Sequence, residues 1–184
     1  ELVAASKMKR AVASTLASRL YAEYSWAVLD SVARNITENK PALFAERPVK
    51  NILFVLITSN RGLCGAYNAQ VIKKSLTVLK NNTGADVHLL TVGKKGDAGM
   101  RRVGQNIVAT FADLPDNIRL ADIMPISRFI NEEFIAGRYD RVLVAYTDFV
   151  SPLVQKPNVR QVLPVSKETI AELRDSLEEE IHAD

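Results

Sequence analysis

The chain has 184 residues, 47% of them hydrophobic and 24% charged, with a formal net charge of +3. That is ordinary globular composition, enough for one domain with a core plus an appendage, and its scattered basic residues lack the concentrated, aromatic-interleaved face of a nucleic-acid binder. One cysteine forms no internal disulfide, and two histidines far from it give no metal-ligand spacing. The longest apolar run is about seven residues against the ~20 that span a bilayer, and no signal-peptide pattern is present, so a soluble intracellular chain is expected, with no direct membrane insertion.

Residues 2–39 contain neither Pro nor Gly and are rich in Ala, Leu, Lys, Arg and Glu. They predict one helix of about 55 Å, longer than a domain of this size is wide, so part of it should project. Val3, Met8, Val12, Leu16 and Leu20 recur at roughly heptad spacing among the small residues Ala4, Ala5, Ala11, Ala13 and Ala17. Such a stripe suits close coiled-coil packing; an Ala-rich surface helix is the plainer alternative. The bulkier second half, with Tyr21, Tyr24, Trp26, Val28, Leu29, Val32 and Ile36, is expected to dock on the core.

Pro41 and Pro48 flank a linker, and the apolar run at 51–58 follows. It predicts a strand buried on both faces, as under helices on either side. Residues 59–68, SNRGLCGAYN, form a Gly-punctuated turn into a helix over 67–81. Further strands are predicted at 87–92, 107–111, 141–147 and 159–165, with a helical stretch at 119–138 carrying Pro125 early and GKKG opening a short helix after the second strand. The alternating order predicts an α/β fold, a Rossmann-like domain with a mostly parallel five-stranded sheet whose last strand, returning too soon for a crossover, is an antiparallel edge. Ser166 with Thr169 forms an imperfect cap on a last helix whose charges are mostly acidic, whereas the first helix carries Lys7, Lys9, Arg10 and Arg19; a solvated face is the plain reading of those acids. The domains expected are a shaft helix at 1–40, an α/β domain at 49–165 and the start of a carboxyl-terminal helical segment at 166–184.

No motif carries catalysis. GKKG at 93–96 is not a Walker loop, and no G-x-G-x-x-G occurs. The turn after the first strand has two glycines and a helix start, which is weak support for an anion site. Cys64 has no plausible base, with His88 in mid-strand and His182 in the terminal helix, and reads as a small turn residue beside glycines. No cofactor is expected. A nucleotide- or metabolite-binding α/β protein is the alternative function, and a free-standing adaptor another.

SNRGLCGAYN resembles the S-D-R-G-L-C-G-G/A-x-N signature of the γ subunit of F-type ATP synthases. LVAASKMKRA followed by ASRLYAE is similar to that family's amino-terminal shaft helix, GKKG to its G-[KR]-K-G turn, and QVLPV at 161–165 to the strand before its carboxyl-terminal helix. Asn60 stands where the family usually has Asp, which weakens any bond from that carboxylate. Ala98 and Gly99 stand where bulkier residues are common, implying looser packing of that helix. The inserted redox loop of photosynthetic relatives is absent, and the family's start and second shaft helix are expected outside this chain, making it a fragment whose first helix borrows a partner.

The resemblance implies a non-catalytic rotor whose terminal helices form an antiparallel coiled coil inside the catalytic head. The implied partners are the α and β subunits of the head, the ε subunit and the membrane c-ring, at the cytoplasmic face of a bacterial cell membrane. The subunit contacts it implies are Lys7, Lys9, Arg10, Asn60, Arg61, Leu63 and Cys64.

Overall fold

A computed structural model describes residues 2–35, 41–115, 117–151, 153–166 and 168–171. These fall into two compact units, one drawn from 1–40, 149–155 and 166–184, the other from 41–148 and 156–165.

The second unit is built on a sheet. Its strands are β1 (Asn51–Ile57), β2 (Asp86–Val92), β3 (Ile107–Phe111), β4 (Arg141–Ser151) and β5 (Val154–Leu163), in the order β3-β2-β1-β4-β5. β1 pairs in parallel with β2 and β4, and β2 with β3. β5 follows β4 after a connection too short for a parallel crossover, so the two form an antiparallel hairpin. The α/β expectation with a mostly parallel five-stranded sheet holds. β5 begins five residues earlier than its predicted start, and β4 runs four residues longer than expected. Pro157 sits inside β5, which a sheet tolerates at an edge, where no neighbour needs its missing N–H.

β1 is the spine. Ile52, Leu53, Phe54, Val55 and Leu56 are all buried, so both faces of the strand are covered. Each such side chain contributes roughly 1.5–3 kcal/mol on leaving water. Three helices connect the strands: α2 (Tyr67–Asn81), α3 (Lys94–Arg102) and α4 (Leu120–Ile135). Phe54, Leu56, Val71, Leu89, Met100 and Ala145 form the core where α2 and α3 pack. The looser packing expected at Gly99 is not found: a Cβ there would lie 3.0 Å from Ile72 Cδ1, so the glycine admits α2 at close range.

Carboxylates fasten the edges of this layer. At the amino end of β1, Asp140 accepts from the backbone N–H of Lys50 (2.9 Å) and Asn51 (3.0 Å), which holds its pKa below the ordinary carboxylate value. Asp97, in the first turn of α3, is bonded by Arg101, which chiefly lowers its pKa, and accepts from Thr110 on β3 at 2.8 Å.

In the first unit, α1 spans Leu2–Asn35, and the predicted extension over 36–39, Ile36 included, lies outside the described residues. A 34-residue helix is about 51 Å long. Its less exposed positions are Val12, Thr15, Arg19, Ala22, Trp26, Leu29 and Ala33, in alternating steps of three and four, with Ser25 and Asp30 beside them. That is a heptad seam. Of the heptad-spaced apolar residues, Val12 is on it, Met8 and Leu16 are exposed, and the side chains of Val3 and Leu20 lie outside the described residues. Tyr21, Tyr24, Val28 and Val32, expected to dock on the core, are exposed as well, because positions off the seam of a 3.5-residue repeat point away from it. Within this unit Arg19 donates to the Phe149 carbonyl. Ser166 caps the residues that follow more fully than expected, its Oγ accepting from Thr169 N at 3.1 Å and its carbonyl from Ile170 N at 3.0 Å; the acidic residues beyond 171 lie outside the described residues.

These two depressed carboxylates contribute to the acid limit of the fold. Their stabilisation is complete above the unfolded aspartate pKa of about 3.9 and is lost as pH falls through their lower folded values. The urea midpoint should therefore hold from pH 7 to about 4 and fall below it, and Asp140→Asn should make that fall shallower; a midpoint flat down to pH 2 refutes this assignment.

Candidate functional site

The carboxyl ends of β1, β2 and β3 each run into a loop, and polar atoms sew these loops together. Thr58, buried just past β1, bonds through its backbone N–H to Val92 O at 2.8 Å. The GKKG turn after β2 lies against it. Gly93 has φ +95°, and a Cβ there would fall 2.2 Å from Thr58 O; a Cβ on Gly96 would fall 2.8 Å from Thr58 Oγ1. Only glycine meets both the torsion and the approach at position 93.

Every backbone donor opening α3 is engaged within the chain. Lys94 N donates to Asn60 Oδ1 (3.0 Å), Lys95 N to Ser59 O (3.1 Å), Gly96 N to Thr58 Oγ1 (2.8 Å) and Asp97 N to Gly93 O (3.4 Å). Helix starts bind phosphate through these same groups. Here they hold protein oxygens instead, so GKKG has no amide to offer a nucleotide. Lys94 Nζ pairs with Asp113 at 3.3 Å in the next loop, at the surface.

Asn60 ties a third loop in. While its Oδ1 accepts from Lys94, its Nδ2 donates to Leu114 O at 3.4 Å, beyond β3. An amide does both; an ionised carboxylate only accepts. The expected weakening at this position is thus offset by a second bond that Asp could not make.

Above this base the loop turns outward. Asn68, in the first turn of α2, accepts from Ser59 N (3.0 Å) and donates to Ser59 Oγ (2.8 Å), and Ser59 Oγ donates to Arg61 O (2.6 Å). Leu63 sits at φ +61° and is fully exposed at 109%. Left-handed backbone at a non-glycine residue costs on the order of 1 kcal/mol or more, and here it presents an apolar side chain to solvent. Cys64 is exposed, not tucked in, with Asn68 Nδ2 donating to its sulfur at 3.0 Å. His88 sits opposite Leu53 in the sheet, its ring edge-on to Tyr139 at 5.6 Å, far back along β2 from the strand end that precedes Cys64. Lys7, Lys9 and Arg10 are exposed on α1, in the other unit.

Among the described residues no group of three or more His, Cys, Asp or Glu side chains could hold a metal, and no helix is long and apolar enough to cross a membrane. Sequence reasoning missed the bridging roles of Thr58 and Asn68. The signal available was the small polar residue just before SNRGLCGAYN, Thr58, and the one at its end, Asn68.

Because the sewn base tolerates no Cβ at position 93, Gly93→Ala should lower unfolding free energy by about 3 kcal/mol. Asn60→Leu should lower it by about 0.5–1.5 kcal/mol through the lost Lys94 N–H bond. Urea denaturation measures both, and a Gly93→Ala variant as stable as the parent contradicts the close approach.

A family model described as ATP synthase matches residues 1–184. The ATP synthase gamma chain of Legionella pneumophila (strain Corby) is 32% identical over 169 residues, which cover 91% of this chain and 59% of that protein. The ATP synthase gamma chain of a Dehalococcoides mccartyi strain (ATCC BAA-2266) is 40% identical over 167 residues, covering 90% and 58%. The chain thus spans a little under three fifths of the length of these curated relatives. A chain in the cryo-EM structure of the Tetrahymena thermophila mitochondrial ATP synthase central stalk and c-ring shares the fold, with a TM-score of 0.56 at 20% identity over 92% of this chain and 88% of that one. The sewn SNRGLCGAYN loop, the GKKG turn and the long first helix therefore sit in a chain that belongs to the ATP synthase family, with the gamma chains as its relatives.

Proposed function

We propose that this chain is the central-stalk rotor portion of an ATP synthase, a non-catalytic part that turns with an ion-driven membrane ring and forces conformational change on the catalytic head. The observation that carries the reading is α1, 34 residues without Pro or Gly and with a seam in alternating steps of three and four. Stiffness suits a shaft, and the seam suits one further helix packed antiparallel along it. The domains follow the same logic: 1–40 is the shaft, 49–165 the base and 166–184 the start of the returning segment.

The partners in this reading are the α and β subunits, the ε subunit and the c-ring, at the cytoplasmic face of a bacterial cell membrane. Lys7, Lys9 and Arg10 meet acidic surfaces of the head through screened attraction, which is cheap to break at each step. Arg61, Leu63 and Cys64 touch the head from the loop that Asn60 steadies below. The self-occupied donors at GKKG weigh against the nucleotide-binding alternative.

Pull-down of this chain with α and β subunits tests the assignment, and failure to co-purify with either refutes it. Joint replacement of Lys7, Lys9 and Arg10 by Ala should weaken binding to the catalytic hexamer about tenfold at low salt, a gap that narrows as salt rises. Arg61→Glu should lower rotation-coupled ATP hydrolysis of the assembled complex about two- to fivefold; unchanged hydrolysis removes Arg61 from the contact set.

A further inference from the structure

The face of the sheet under α4 borders a half-open cavity of about 400 Å3. Its floor is mostly short side chains, Val55 on β1, Val92 on β2, Val144 on β4 and Val162 on β5, with Ile57 and Leu163 beside them. Ile126 of α4 closes it from above. Four valines in a row of neighbouring strands leave a gap that larger side chains would fill. Protein interiors keep few voids larger than a water molecule. Water does not fill this one well, because a bound water needs two to four polar partners. The mouth opens to solvent past Ile123, which is 42% exposed.

Ligand sites have volumes of about 300–1,000 Å3, mainly apolar walls and a few placed polar groups. The polar groups here are Ser127 and Asn131, one turn apart on α4 and so on one face of it. Ser127 is exposed and Asn131 half-buried, and neither side chain has a hydrogen-bond partner among the described residues. Among the described residues no Lys, Arg, Asp or Glu lines the cavity, so an ionic head group would find no counter-charge there.

We infer that this cavity binds a medium-chain aliphatic molecule carrying one uncharged hydrogen-bonding head group. The tail lies on the valine floor and the head meets Ser127 and Asn131. At native packing density the volume holds about ten to fifteen non-hydrogen atoms.

Linear 1-alkanols from hexanol to dodecanol, titrated into the full 184-residue chain and followed by methyl NMR, test this. Saturable binding is expected, tightening about fourfold per added CH2 and levelling off at about ten carbons, when the cavity is full. Shifts should concentrate on the methyls of Val55, Val144 and Ile126. Val162→Phe, which fills the floor, should weaken octanol binding at least tenfold. Asn131→Leu should weaken octanol severalfold and leave octane unchanged. Should Val162→Phe fail to fold, the chain-length limit and the shifts of the unaltered protein decide. Binding that never saturates, tightening without limit in chain length, or shifts spread away from the cavity would overturn the inference. So would binding that vanishes as protein concentration rises, which would put a second copy of the chain in the groove.

Discussion

The carboxyl end of the sheet depends on one close approach, the passage of Gly93 past Thr58. At that point two loops run so near each other that no side chain fits between them. The approach brings the start of α3 under the oxygens of Thr58, Ser59 and Asn60, and Asn60 reaches on to Leu114. Three loops that would otherwise move separately become one plate. The exposed turn at 61–64 stands on this plate, and that is why a leucine can be held at positive φ in open solvent without the turn relaxing. Strain of this kind persists only where the surroundings over-determine it.

The two faces of the sheet are packed by different rules. Where α2 and α3 lie, Phe54 and Met100 supply volume and Gly99 lets a helix come close, so the layer is filled. Under α4 the inward side chains are mostly valines, and the layer is left hollow. The same strands supply both faces by alternation, so the difference lies in the choice of side chain at every second position rather than in the backbone. One face thus provides most of the cohesion, and the other is free to hold something else.

Much of this was legible in the sequence. The run at 52–57 could only be a strand covered on both sides, and α2 and β3 begin and end where the pattern put them. The seam of α1 was only partly visible in the sequence, because position marks it more than hydrophobicity does. Thr15, Arg19 and Ala22 occupy it, and none of them announces a buried seam, whereas Met8 and Leu16 do so and are exposed. The first half of β5 was hidden by Lys156 and Pro157, which read as loop until the edge position explains them. The site divided in the same way. That SNRGLCGAYN mattered was plain from its glycines and its place after a strand. That Asn60 serves as a double bridge was not, since its partners stand 34 and 54 residues further along the chain and only folding brings them near. The cavity was invisible for a related reason: valines in four separate strands mark nothing until the strand order sets them side by side.

The amide groups at the start of α3 carry one more consequence. In many α/β proteins this is the place where the concentration of a nucleotide is sensed, because bound phosphate alters the loop. Here the polypeptide occupies its own receptor. In the proposed setting the part works beside catalytic sites that cycle between ATP and ADP, and a stalk responsive to either would confuse torque with chemical signal. By filling the cradle with Thr58, Ser59 and Asn60, the chain insulates its mechanics from the metabolites around it, and it does so with one backbone and two side-chain oxygens of its own.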